Sequence, residues 1–181
     1  MAAWGRLGTC MRFMKRLTKI SLIATGLLMA VALVAGPQAT ETSHDASTKT
    51  VVFVCEHGSA KSVIAAAHFN RLAAERGLPY RAVARGLNPD SEVPSGVLNG
   101  IKSDGLRVSG DRPTRVSRQD VQNAERTVTI AVELPASIAA TTASLVQWKD
   151  VPSVSEGYTA AREAIVRHIS ELLDQLAAKA R

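Results

Sequence analysis

"VVFVCEHGSAKS", residues Val51 to Ser62, is the most informative stretch of the chain. Four apolar residues run into a cysteine, small and polar residues follow, and Lys61 and Ser62 then open a helical pattern. Thr50 to Val54 is short, β-branched and apolar on both faces, as a central parallel strand requires. From Lys61 to Arg76 the apolar residues Ala65, Phe69, Leu72 and Ala73 share one helical face, and Gly77 suits the stop. A thiol between such a strand and such a helix sits where unpaired backbone N–H groups and the positive end of the helix dipole converge.

Outward from this junction the two patterns alternate. Tyr80 to Gly86 reads as a second strand, and Val93 to Gly105 as a short helix that Gly96 and Gly100 weaken. Ser117 with Asp120 three places on is a capping box, predicting a helix through Ala124. Arg126 to Val132 is a third strand and Ala143 to Trp148 a weaker fourth. Ala161, Ile165, Ile169, Leu172 and Leu176 form the stripe of a last helix that starts near Tyr158. Four repeats of strand and helix predict an α/β fold, a four-stranded parallel sheet with helices on both faces. Ligands in such sheets bind beyond the carboxyl ends of the strands. Cys55 stands at one of them.

The chain has 181 residues and a formal charge of +6, enough for one ordinary domain. The charge lies in a leader: Arg6, Arg12, Lys15, Arg16 and Lys19 precede the first acid, Glu41, and without them 17 basic residues face 16 acidic ones. A nucleic-acid partner is therefore not indicated. Residues 20–36 carry no charge, so residues 1–36 read as a signal peptide or an N-terminal membrane anchor. Either form sends the domain outward, as an exported, periplasmic protein or one tethered by an uncleaved helix. A later start, at Met11 or Met14, is the alternative that would leave it inside. Residues 37–49 are small and polar, a linker, and residues 50–181 form the domain.

Cys10 and Cys55 are the only cysteines, and Cys10 belongs to the leader. The domain has no second thiol for a disulfide, no CxxC pair and no histidine spacing suited to a metal. No metal or cofactor is expected. Walker A fails because Cys55 and Ala60 stand where glycines are needed, and no G-x-S-x-G surrounds Ser59. The stretch reads as an oxyanion loop, with a buried core cysteine or a Cys–His pair as the alternatives. Its amides would cradle a tetrahedral anion, Gly58 would take the tight turn, Ser59 and Ser62 offer hydroxyls, and Lys61 supplies positive charge.

The segment from Val51 to Ala73 resembles the active-site loop of low-molecular-weight protein tyrosine phosphatases and the related thioredoxin-coupled arsenate reductases, whose pattern is C-x5-R-S. The similarity extends through "RGLNPDSEVPSGV", "SRQDVQNA" and "WKDVPSVSEG". The resemblance implies that Cys55 is a nucleophile attacking phosphorus or arsenic and that Ser62 supports its thiolate. Residues Glu56, His57, Gly58, Ser59, Ala60 and Lys61 would bind the oxyanion, and Asp150 would act as the acid toward the leaving group. The implied substrates are a phosphate ester, cleaved through a phosphocysteine, or arsenate, reduced with an external thiol because the chain lacks relay cysteines. A protein that only binds phosphate or arsenate is the third reading. Two departures stand out. Lys61 replaces the arginine fork with a point charge, implying weakened activity. Val151 and Pro152 stand where the family's phosphatases carry tyrosines, so an aromatic wall is not expected there.

Overall fold

The structure, a computed structural model, describes residues 48–108, 110 and 112–179. The leader, Cys10 and most of the linker lie outside the described residues. In chain order the elements are β1 (Lys49–Cys55), α1 (Lys61–Glu75), β2 (Tyr80–Gly86), α2 (Ser95–Ser103), α3 (Arg118–Gln122), β3 (Arg126–Ile130), α4 (Ala136–Ala139), β4 (Leu145–Trp148) and α5 (Tyr158–Lys179). The four strands make one parallel sheet in the order β2-β1-β3-β4.

The alternation of side chains along β1 separates two cores. Val51 and Phe53 face α1, α2 and α5, where Phe53 meets Phe69 edge-on at 5.6 Å and Trp148 at 5.4 Å. Val52 and Val54 face the opposite side, with Val116, Val121 and Leu134 around α3 and α4. Both faces of β1 are thus dry, which its uniformly apolar sequence requires. The α5 stripe lies against the first core, with Ala161, Ile165, Ile169, Leu172 and Leu176 all buried.

Several boundaries differ from the sequence expectation, each for a local reason. β1 begins at Lys49, placed in the linker above, because Lys49 pairs with Tyr80 and donates its amide to Pro79. β3 stops at Ile130, since Ala131 turns into the left-handed region at φ 54°. The capping box at Ser117 and Asp120 forms as predicted, but its helix ends at Gln122. The one-turn α4, behind Pro135, has no periodicity long enough to be seen. The first half of α1 is buried all round, from Ser62 to Ala67, and not along one stripe.

The strand order switches direction between β1 and β3, β2 lying on one side and β4 on the other, so a crevice opens beyond the carboxyl ends of these central strands. The loop after Cys55 lies at that crevice and is held from below by the exit of β2. Gly58, at φ 62°, approaches Gly86 so closely that a β-carbon on either would sit 2.7 Å from the other's amide nitrogen. The atoms in the way are backbone, which has nowhere to move. We predict that Gly86→Ala destabilises the fold by about 1–3 kcal/mol, read as a lower urea midpoint. An unchanged midpoint would show that the two segments separate freely.

Candidate active site

The final residue of β1 is Cys55, 5 % exposed, and its thiol donates to the Ser62 hydroxyl at 3.2 Å. Ser62 is fully buried in the first turn of α1, so strand and helix ends meet through these two side chains. When the sulfur is ionised, the same hydroxyl turns donor to it. Between them, the amides of residues 57–61 donate to no acceptor among the described residues. The N-terminus of α1 also lacks a side-chain cap. Orphan donors gathered at a helix start are the ordinary material of an anion site.

The segment leaving β2 straps this loop from below. Leu87 donates its amide to Cys55, Asn88 to Glu56 and Asp90 to His57. Side chains follow the same path. Asn88 donates to the Glu56 carboxylate at 2.7 Å, and Ser59, 2 % exposed, donates to Asp90 at 2.5 Å. Nδ1 of His57 lies 3.3 Å from the other Asp90 oxygen. Glu56 is therefore a strap residue, while His57 stays largely exposed at the rim.

Lys61 begins α1 and reaches the segment after β4, donating to the Val151 carbonyl at 3.4 Å, the outer limit of a hydrogen bond. The late segment is thereby brought to the cysteine loop. The Asp150 carboxylate, however, is committed to α5: His168 Nε2 lies 2.7 Å away and Arg167 3.6 Å. Trp148 stacks on His168 at 4.9 Å and fixes that ring. The hydrogen bond from His168, a backbone bond and the nearby positive charge hold the Asp150 carboxyl below the ordinary carboxylate value. In this position Asp150 faces α5 and solvent through exposed contacts.

Beside the loop is a hollow of about 430 Å³, lined by His57, Ser59, Ala60 and Asp90 on one side and by Pro94, Val97, Val154 and Tyr158 on the other. An aromatic residue is thus present after all, from the start of α5 and not from positions 151 and 152. Its hydroxyl donates to Asp104 at 2.6 Å, and its ring lies over Gly100, where a β-carbon would come within 2.6 Å of it. Arg162 donates to the second Asp104 oxygen at 3.0 Å, and His68 Nε2 lies 3.2 Å from the first. Neither Asp90 nor Tyr158 carried a motif. The signal was only indirect, in "RGLNPDSEVPSGV" and in the start of the last helix near Tyr158.

A model of the low molecular weight phosphotyrosine protein phosphatase family matches residues 50–180. The chain belongs to that family. The four-stranded parallel sheet with its helices agrees with that family's α/β fold. Among solved structures, the thioredoxin-dependent arsenate reductase of Corynebacterium glutamicum is 19% identical with a TM-score of 0.60, over 75% of this chain and 65% of that one. The low molecular weight protein tyrosine phosphatase of T. tengcongensis is 19% identical with a TM-score of 0.62, over 70% and 99%. The arginine phosphatase YwlE, a Bacillus subtilis protein, is 13% identical with a TM-score of 0.63, over 71% and 95%. At such identities the likeness is one of fold. No curated sequence matches the chain.

The network holding Tyr158 gives a pH signature. Burial pushes the His68 imidazole below its ordinary value, although Asp104 opposes this. Burial also raises Asp104, but the Tyr158 hydroxyl, Arg162 and His68 outweigh it and hold the carboxyl below its ordinary value. For both groups the unfolded chain binds protons more readily, so each contribution is intact at neutral pH and lost on acidification. We predict two falls in unfolding midpoint, one starting near pH 6.5 from His68 and one below about pH 4 that includes Asp104. His68→Gln should remove the first alone. A midpoint that stays level between pH 7 and 5 in the unmutated protein would contradict this.

Proposed function

We propose that the chain hydrolyses a phosphomonoester through a phosphocysteine on Cys55. The thiolate attacks phosphorus in line, the S–P bond forms, and the ester P–O bond breaks. Water then attacks phosphorus, the S–P bond breaks, and inorganic phosphate leaves. The observation that carries this reading is the ring of unpartnered amides over residues 57–61, closed by the bond between Cys55 and Ser62. Amides aimed at a developing oxyanion are worth most in a site preorganised by its surroundings, and the straps from residues 87–90 supply that rigidity.

Lys61 would neutralise one equatorial oxygen on leaving the Val151 carbonyl, a weak bond easily given up. One ammonium cannot span two oxygens as a guanidinium does, so turnover below that of an arginine-bearing loop follows. For Asp150 to act as the acid it must leave His168 and gain a proton. The apolar wall of Pro94, Val97, Val154 and Tyr158 suits an ester whose leaving group has a hydrocarbon body. The basic leader followed by the charge-free run 20–36 supports action outside the cytoplasm.

Cys55→Ser should retain inorganic phosphate binding and lose aryl phosphate turnover, because the amide cradle does not depend on sulfur. Lys61→Met should lose most of both. Appreciable turnover by Cys55→Ser would end the covalent reading. Arsenite formed only with an added thiol, without ester hydrolysis, would move the site to arsenate reduction. Anion binding without either reaction would leave a binder.

A further inference from the structure

A phosphocysteine route needs a group that protonates the departing oxygen and later takes a proton from water. Asp150 is turned toward His168 and Arg167 on α5 through exposed contacts. A second acid–base pair lies on the cysteine loop itself. His57 is two residues beyond Cys55, lines the hollow beside the loop, and keeps its side chain 61% exposed. Its Nδ1 faces Asp90 at 3.3 Å, and that carboxylate is fixed from its other oxygen by the buried Ser59 hydroxyl at 2.5 Å. The backbone adds a further tie, since the Asp90 amide donates to the His57 carbonyl at 3.1 Å. An imidazole whose Nδ1 is held by a fixed carboxylate presents Nε2 to a reacting group, and His57 Nε2 has no partner among the described residues. A strap needs no imidazole. Asn88 and Glu56 next door do that work with amide and carboxylate.

We propose that His57, oriented by Asp90, is the general acid and base of this site. The assignment rests on the phosphocysteine reading above. In the first step the imidazolium Nε2–H gives its proton to the leaving oxygen as the P–O bond breaks and Cys55 takes phosphorus. The neutral imidazole then removes a proton from the water that attacks phosphorus, and the S–P bond breaks to return the thiolate. One proton moves out and one moves back, with no other reactant. The hollow beside His57 receives the leaving group, so its oxygen is brought to the same rim as Nε2.

The test compares p-nitrophenyl phosphate, which hardly needs an acid, with phenyl phosphate, which does. His57→Gly should lower kcat for phenyl phosphate on the order of 10²-fold or more, with a much smaller loss for the nitrophenyl ester. Free imidazole should restore part of the phenyl phosphate rate, which a merely structural histidine would not allow. Asp90→Asn should show the same leaving-group pattern in milder form, without imidazole rescue. Inorganic phosphate affinity, measured by calorimetry on each variant, should be retained and shows that the loop is intact. If phosphate binding is lost in His57→Gly, His57→Gln takes its place in the comparison. Equal losses for both esters without rescue would overturn the assignment while the phosphocysteine reading stands. A leaving-group-dependent loss in Asp150→Asn, with none in His57→Gly, would give the role to Asp150. If the unmutated protein hydrolyses neither ester, the phosphocysteine reading fails and this assignment falls with it.

Discussion

The approach of Gly58 to Gly86 sets the geometry on which the site depends. Three backbone segments meet at Gly86: the cysteine loop above it, β2 behind it, and residues 114–116 beside it. Gly86 donates to the Thr114 carbonyl and accepts from the Val116 amide while its α-carbon packs under Gly58. Such bonds add about 1 kcal/mol each. Their larger effect is positional, since they hold the backbone of the cysteine loop against β2. The left-handed turn at Gly58 turns the chain back across β2, so a side chain there would meet both backbone strain and Gly86. A cysteine at the end of any buried strand would be an inert core thiol without this support.

A second set of contacts ties the rim to the helices. Asp104, at the end of α2, gathers Tyr158 and Arg162 from α5 and His68 from α1. Three helices on one face of the sheet therefore share a single carboxylate, and the Tyr158 ring is held as a wall of the hollow. The segment after β4 is anchored by Val151, buried in the main core, with Val154 packed against it, and carries in addition the long bond from Lys61 and the exposed contacts of Asp150 with α5. Exposed ion pairs of this kind contribute little to stability.

Much of this was legible before the fold was known, where a short-range pattern carried the information. Strand β1, helix α1 with Gly77 behind it, and the α5 stripe all followed from period and composition, because burial on both faces or one face writes itself into consecutive residues. Cys55, Ser62 and the amide loop followed from their place between strand and helix. Asp90 and Tyr158 did not, because they reach the site from distant parts of the chain and look like any loop aspartate or helical tyrosine. Asp150 entered only through the family resemblance, and the contact of Lys61 with Val151 that brings its segment to the loop was not visible in the sequence. Its partner His168 lies 18 residues away on α5 and could not be paired with it from spacing. The contact between Gly58 and Gly86 was equally hidden, since each glycine alone has an ordinary explanation as a turn or a strand end.

The central claim is that Cys55 becomes covalently phosphorylated. Rapid acid quenching of the unmutated protein during turnover of p-nitrophenyl phosphate, followed by peptide mass spectrometry, reads this directly. The account predicts one added phosphoryl group, located on the peptide containing Cys55 and absent when the ester is exhausted. Sustained ester hydrolysis with no adduct on Cys55 at any quench time would contradict it.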